Sequence, residues 1–380
     1  MKMSSPLDDV RKEIDSIDKE LVELFEKRMA TVKKVADIKK EANIRVTNPE
    51  REEEIVENIS NQVSPEYRTY VKSIFTSLMD VSRSYQYTIV GQNDSIRTKL
   101  GEVSNLDDFT GSPRVLCQGV KGAYSGIAAS KMFENGDISF CQSWNEIFEA
   151  LECGEADFGV LPVENSLAGS VNEVYDLLLK HNLYICKALR LGINHCLLGR
   201  KDATIDDIVE IYSHPQAISQ CKSYLDSLSD IRVIPLANTA VAAKMVADLD
   251  DNTKAAIASP ECATTYGLKI LDDKLHHKNN STRFIAISNK IFTSPNANKI
   301  SLVFHLPHCT GSLYRTLGKF ASLDLNLTKL ESRHIEDKDF EYAFYLDFTG
   351  NVRSESIIEL LCSLSSDLPA ISFLGNYYEP

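Results

Sequence analysis

Leu7, Val10, Ile14, Ile17, Leu21 and Leu24 recur at alternating steps of three and four, and the pattern resumes at Val32, Val35 and Ile38. That spacing predicts one long amphipathic helix over about residues 6–40. No short domain covers an apolar stripe of that length, so the helix calls for a helical partner. After a turn at Thr47-Asn48-Pro49, helical patterns follow over residues 50–62 and 65–87. The first region, residues 1–90, therefore reads as all-α.

Arg28 sits on the stripe, at the position that Leu21 and Val35 occupy one heptad away. A cation on a buried face needs an anionic partner, because unpaired burial is costly. Lys39 lies three turns on and points the same way, about 16 Å along the axis. Two long side chains so placed can converge on a small dianion. Arg11 is about 25 Å from Arg28 and about 100° off in direction, so it can serve that site only from another chain. Arg51 and Glu52 open the second helix, and Ser82 and Gln86 share a face of the third. The plainer alternative is charge solvated on helix surfaces.

Residues 91–112 are rich in Gly, Ser, Asn and Asp and read as a linker. Beyond them, strand-like runs at 115–118, 158–163, 183–189, 231–236, 255–258 and 283–287 alternate with helical ones. That alternation predicts a mostly parallel α/β sheet in two lobes over residues 113–288. A polar stretch follows to residue 299. Residues 299–377 then read βαββαβ, with strands at 300–306, 325–331, 342–348 and 370–374 and helices from Ser312 and Glu355. This is a ferredoxin-like α+β arrangement.

The α/β region carries polar loops at its strand ends, where open sheets bind small ligands. Within DFGVLPVENSLAGSVN, Glu164, Asn165 and Ser166 end an apolar strand. GVKGAYSG, with Ser125, is a Gly-rich turn entering a helix and suits a carboxylate. SHPQA holds Ser213, His214 and Gln216, NTA holds Thr239, and NNSTRF holds Thr282 and Arg283. Singly each is explained as a cap or turn. Five in one unit suggest the walls of one site.

Composition removes several classes. The net charge of -13 offers no basic surface for nucleic acid. No apolar run approaches a membrane span, and the charged start is unlike a secretory signal. Nine cysteines, scattered without metal spacing, suit reduced thiols in the cytoplasm. No metal and no cofactor is expected.

Arg11, Arg28, Lys39, Arg51, Glu52, Ser82 and Gln86 fall where the all-helical chorismate mutases place their site residues, and residues 1–90 resemble that family. The resemblance implies a rearrangement of chorismate to prephenate in an interlocked dimer. Arg11 of the partner chain and Arg28 would bind the two carboxylates, with Arg51 helping. Lys39 and Gln86 would donate to the ether oxygen, Glu52 assisted by Asn48 would hold the ring hydroxyl, and Ser82 would contact substrate. Related sequences often carry Asp where this chain has Asn48, which implies altered affinity.

GxYS, GVLPVENSxxGSV, HCLL, SHPQAxxQC and NxTRF, in this order, resemble the prephenate dehydratases. The implied fold is a two-lobed unit like the periplasmic binding proteins, with prephenate in the cleft. Thr282 would assist the departing hydroxyl. Ser125, Asn165, Ser166, Ser213, Gln216, Thr239 and Arg283 would orient the substrate, and Glu164 would be structural. GSLYRTLGKFASLDLNLTKLESR resembles an ACT regulatory domain. Its Gly311, Ser312, Leu313 and Glu331, Ser332, Arg333 match phenylalanine-binding segments, with His334 where Pro is frequent. Together these imply a cofactor-independent bifunctional chorismate mutase/prephenate dehydratase, a cytoplasmic homodimer or higher oligomer under allosteric feedback inhibition by L-phenylalanine. The alternatives are a ligand sensor without chemistry, and dehydration of arogenate in place of prephenate.

Overall fold

The computed structural model describes residues 6–91, 94–101, 103–109, 111–275, 280–334 and 342–380. The helical start forms α1 (Pro6–Glu41), α2 (Pro49–Ser60) and α3 (Arg68–Val90). No Pro or Gly interrupts α1 after its first residue. The Asn48 side chain caps α2 ahead of Pro49, and α3 stops at Gly91 in a left-handed conformation, as helix ends favour. The expected linker holds α4 (Asp94–Gly101) and β1 (Ser104–Asn105).

The α/β region runs β2 (Arg114–Gln118), α5 (Tyr124–Met132), β3 (Asp137–Cys141), α6 (Trp144–Glu152), β4 (Phe158–Asn165), β5 (Gly169–Ser170), α7 (Asn172–Lys180), β6 (Tyr184–Gly192) and β7 (Cys196–Gly199). It continues with β8 (Glu210–Ser213), α8 (Pro215–Gln220), α9 (Lys222–Leu225), β9 (Arg232–Pro235), α10 (Thr239–Leu249), β10 (Lys254–Ala258), α11 (Pro260–Tyr266), β11 (Lys269–Asp272), β12 (Ser281–Ser288) and β13 (Phe292–Thr293). The last segment is β14 (Lys299–His305), α12 (Ser312–Ala321), β15 (Leu327–His334), β16 (Tyr342–Thr349), α13 (Glu355–Asp367) and β17 (Ala370–Tyr377). That is the expected βαββαβ order, with strands in the order β15-β16-β14-β17.

Two compact units result. One comprises Met1–Gly101, Phe304–Phe344 and Val352–Ile371, and the other Glu102–Val303, Tyr345–Asn351 and Ser372–Pro380. In the first, Ala36, Val46, Tyr87 and Val90 form a small core. The stripe of α1 remains in solvent, with Leu7, Val10, Ile14, Ile17, Leu21 and Leu24 each 51–60 % exposed.

Besides the two-stranded β1-β13 pair, the second unit has two larger sheets. One runs β17-β6-β12-β4-β2-β3, and the other β11-β7-β10-β8-β9. The expectation of mostly parallel pairing is corrected. Parallel pairs join β2 to β3 and β4, and β8 to β9 and β10. Antiparallel pairs join β12 to both β4 and β6, and β7 to both β10 and β11. The chain returns from the second sheet to the first through β12, which enters antiparallel between β4 and β6. Strands β3, β7, β8 and β11, four or five residues long, and the two-residue β1, β5 and β13 were not expected. At β17, the Gly375 backbone lies so near β6 that a Cβ would sit 2.1 Å from the Ile185 carbonyl oxygen. Only glycine allows that approach.

A buried ion cluster ties the C-terminal strands to β12. Arg283 Nη1 donates to Asp347 Oδ2 at 2.7 Å and Nη2 to the Tyr377 hydroxyl at 2.7 Å. Its Nε lies 2.9 Å from Glu379 Oε1. Ser301 donates to Asp347 Oδ1 at 2.6 Å, and Lys299 pairs with Glu379. Burial, and then the Arg283 charge, bring the Lys299 ammonium down to about 8. Arg283 is 8 % exposed. Side chains alternate along a strand, so Arg283 points away from the face that carries Thr282, and its guanidinium is engaged in this cluster. Arg283→Met would leave two buried carboxylates short of their cation and should destabilise this unit by about 3–5 kcal/mol. Urea unfolding followed by the fluorescence of Trp144, the single tryptophan, measures this. An unchanged midpoint would refute a structural role for the cluster.

Candidate active sites

In the helical unit, α3 presents adjacent residues to two helices. Ser82 meets Arg28 of α1, whose Nη1 donates to Ser82 Oγ and, at 3.4 Å, to the Leu78 carbonyl. Ser82 is buried and donates to the same carbonyl at 2.6 Å. The partners of Arg28 are thus neutral, where an anion was expected. Burial lowers its pKa, as it must for a cation held only by dipoles. One turn on, Gln86 Nε2 lies 3.4 Å from the Ser82 carbonyl and its Oε1 is buried without a partner.

Arg83 meets Glu52 of α2, with Nη1 2.7 Å from Glu52 Oε2. Lys39, from the far end of α1, donates to the Val46 carbonyl at 2.6 Å. Burial lowers the Lys39 pKa, and the nearby Glu52 charge offsets part of that. Asn48 acts on the backbone, its Oδ1 accepting from Arg51 N–H at 3.1 Å, rather than beside the Glu52 carboxylate. Arg51 pairs with Glu54 on its own helix at 2.6 Å and is 60 % exposed. Arg11 is 3.5 Å from Asp8 and equally open. The fold therefore gathers Arg28, Ser82 and Gln86, and Lys39 with Glu52, and leaves Arg11 and Arg51 on the surface. Two partly buried cations and an amide are the groups that a dianion would need where the reaction asks for orientation and charge stabilisation but no proton transfer.

In the second unit, the pairing of β4 with β12 sets Asn165 directly opposite Thr282. A bulge follows where Glu164 and Pro162 oppose Arg283 and Phe284, as suits a proline that has no N–H to donate. Asn165 is buried and works in both directions. Its Oδ1 accepts from the N–H groups of Leu167 and Ala168 at 3.1 and 3.0 Å. Its Nδ2 approaches Asn280 Oδ1 at 2.8 Å, Thr282 Oγ1 at 3.0 Å and the Ser281 carbonyl at 3.2 Å. The Thr282 hydroxyl thus receives a hydrogen bond and keeps its own proton to give. Ser166 Oγ accepts from Ser281 N–H at 3.0 Å, which locks the loop to β12.

The chain of polar groups continues toward the other sheet. Asn280 Nδ2 donates to Gln220 Oε1 at 2.8 Å, and that oxygen lies 3.2 Å from His195 Nε2. Tyr124 donates to the Asn194 carbonyl at 2.5 Å. Ser125 sits half-buried in the first turn of α5, and Thr239 in that of α10 behind the Asn238 cap. The Gly-rich loop and that cap are adjacent, since a Cβ on Gly119 would stand 3.0 Å from Asn238 Nδ2. Gln216 is exposed at the start of α8. Its N–H is held by His214 Nδ1 at 3.2 Å, and burial lowers the His214 pKa. Ser213 stands apart from this set: it is fully buried and donates to the Ile257 carbonyl at 2.6 Å. Asn279 of the NNSTRF segment lies outside the described residues.

In the C-terminal segment, Ser312 and Leu313 line a cavity of about 480 Å³ with Leu306, Pro307, Tyr342 and Phe344. Gly311 sets the start of α12 with φ of 78°. Glu331, Ser332 and Arg333 lie on β15, where Glu331 pairs with Lys329 at 3.1 Å and the His334 ring packs edge-on to Tyr342.

Sequence reasoning passed over Arg83, Asn280 and the partnership of Gln220 with His195. The signal for Arg83 was its place beside Ser82, on a helix whose next face had to meet α2. Asn280 was visible only as one more turn residue.

Comparison with known proteins assigns both halves. A family profile for chorismate mutase type II matches residues 10–87, and one for prephenate dehydratase matches residues 115–291. The bifunctional chorismate mutase/prephenate dehydratase of Buchnera aphidicola subsp. Schizaphis graminum is 32% identical over 97% of this chain and 95% of its own length. The chloroplastic arogenate dehydratase/prephenate dehydratase 2 of Arabidopsis thaliana is 38% identical over 70% of this chain and 72% of its own. Among solved structures, the prephenate dehydratase of Arthrobacter aurescens in complex with L-Phe has a TM-score of 0.63 at 28% identity, covering 70% of this chain and 90% of that one. The two site regions, in this order along one chain, have one common explanation: this chain belongs to the bifunctional chorismate mutase/prephenate dehydratases.

Proposed function

We propose that the helical unit rearranges chorismate to prephenate and that the α/β unit removes water and CO2 from prephenate to give phenylpyruvate. What carries this reading is that one chain holds both the Arg28–Ser82 and Lys39–Glu52 set and the Asn165–Thr282 pair. The first reaction is unimolecular, so the site must hold a compact conformer and stabilise charge on the breaking ether oxygen. Arg28 binds a carboxylate, Lys39 and Gln86 donate to the ether oxygen, Glu52 holds the ring hydroxyl, and Ser82 positions Arg28. Arg51 helps to bind the carboxylates, and Asn48 assists Glu52.

Arg11 joins it from a second copy. The bare stripe of α1 supports a homodimer, because apolar surface on that scale is stable only when covered. Leu21→Glu should convert the dimer to monomer in analytical ultracentrifugation and lower mutase activity at least tenfold. A monomeric wild type with full mutase activity would refute the shared site.

In the second reaction Thr282 donates to the leaving hydroxyl, its oxygen already engaged by Asn165. Ser125, Ser166, Gln216 and Thr239 orient the substrate. The first turns of α5 and α10 offer N–H groups to its carboxylates. Thr282→Ala should cut dehydratase turnover by about 10²–10⁴-fold and leave chorismate consumption unchanged. Arg28→Ala should do the reverse. Equal loss of both activities in either variant would refute separate sites. Parallel assays with prephenate and arogenate decide the substrate, and the Arabidopsis relative, named for both, supports testing each.

The βαββαβ segment is an ACT regulatory domain. It binds L-phenylalanine through Gly311, Ser312 and Leu313, with Glu331, Ser332 and Arg333 supplied by β15 of the same or a paired domain. The cavity at the start of α12 supports this. Phenylalanine then opposes prephenate binding, and prephenate must oppose phenylalanine by the same factor. Purified enzyme given chorismate should form phenylpyruvate without cofactor, and L-phenylalanine should suppress it. Accumulation of prephenate alone would refute the dehydratase half.

A further inference from the structure

Arg83 belongs to none of the roles above, yet it is the most heavily engaged cation of the helical unit. Its side chain is 16 % exposed and meets three carboxylates. Nη1 donates to Glu52 Oε2 at 2.7 Å and Nη2 to Asp80, while Nε faces Asp367 Oδ1 at 3.2 Å as an ion pair without hydrogen-bond geometry. Glu52 is on α2 and Asp80 on α3, whereas Asp367 ends α13 of the C-terminal segment. Burial alone would lower the Arg83 pKa, but Asp367, Glu52 and Asp80 together raise it.

Asp367 is itself fixed. Lys319 of α12 pairs with it, and Tyr87 donates to it at 3.3 Å. Lys319 also donates to Ser363 at 2.6 Å. Glu52, Asp80, Arg83, Lys319 and Asp367 all line one cavity of about 630 Å³. A guanidinium is a rigid planar fork, with its donors at fixed angles to one another. Its grip on Glu52 therefore cannot change independently of its grip on Asp367.

We propose that Arg83 is a positioning residue for the mutase reaction: it aims the Glu52 carboxylate, and Asp367 with Lys319 holds Arg83 in the orientation that does so. The C-terminal helices thereby become part of the scaffold of the mutase site. The inference rests on the reading of Glu52 as a substrate contact given above.

The test is a double-mutant cycle in the full-length enzyme, with mutase and dehydratase activity assayed on the same preparations. Arg83→Met should lower mutase kcat/KM about 10–100-fold and leave dehydratase activity within twofold, which also shows that the protein is folded. Arg83→Lys, which can still pair with Glu52, should recover part of the loss. Asp367→Asn should lower mutase kcat/KM about 3–10-fold. In a Glu52→Gln background, Arg83→Met should cost less than threefold more, because the carboxylate it aims is gone. A purely structural role would cost the same in both backgrounds, so full additivity overturns the proposal. So does an Arg83→Met enzyme with normal mutase kinetics, or Asp367→Asn without effect. If Glu52→Gln alone leaves the mutase intact, the role given to Glu52 fails and this inference falls with it. Impairment by Glu52→Gln with no coupling to Arg83 overturns this inference alone.

Discussion

The second unit depends on the buried pairing of Arg283 with Asp347, Glu379 and Tyr377. A guanidinium removed from water must find several acceptors or it destabilises the fold, and here they come from β16 and β17, with the Glu379 carboxylate just after β17 as a further charge partner. The last residues of the chain are thereby held against β12, the strand that pairs directly with β4. Because Thr282 and Arg283 are neighbours on one strand, they serve opposite faces. The network behind β12 fixes the strand, and the strand fixes the hydroxyl in front. A site built on a central strand with locked pairing on both sides has less freedom than one on a loop.

The helical unit solves a different problem. Most helical stability in proteins comes from packing an apolar face, yet the core here is small and much of α1 is bare. The polar contacts of α3 fill part of the gap, with Ser82 turned to α1 and Arg83 to α2. Buried charge of this kind adds little net stability but penalises wrong arrangements of the helices. It also places the groups that would meet substrate where the helices cross.

Much of this was legible in the sequence. The stripe from Leu7 to Ile38 defined α1, and the βαββαβ order of the last segment followed from alternating patterns. The polar loops at strand ends marked the sheet edge where Asn165 and Thr282 meet. What failed did so for definable reasons. Short strands such as β7 and β11 carry too few residues for a period to show. Parallel and antiparallel pairing leave the same local pattern, so the return of β12 between β4 and β6 was invisible. The pleat sends the adjacent residues Thr282 and Arg283 to opposite sides, which a motif read as a unit does not show. The bond of Ser213 to the Ile257 carbonyl was not legible either, because a hydroxyl at a strand end looks the same whether it meets a ligand or a neighbouring carbonyl. Arg83 was missed because its partner Asp367 is far away in sequence, beyond the reach of any periodicity.

The amide of Asn165 has two chemically distinct ends, and both are engaged. Its oxygen holds the loop through two backbone N–H groups, and its nitrogen faces Thr282. The amide cannot turn over without setting an acceptor against an acceptor on one side and a donor against donors on the other. One lone pair of the Thr282 oxygen is therefore always occupied, and its proton is always on offer. A group meeting Thr282 would find a fixed hydrogen-bond polarity, which favours lone pairs over protons to give. Selectivity of this kind needs no charge and does not vary with pH across the physiological range, since neither an amide nor an alcohol titrates there.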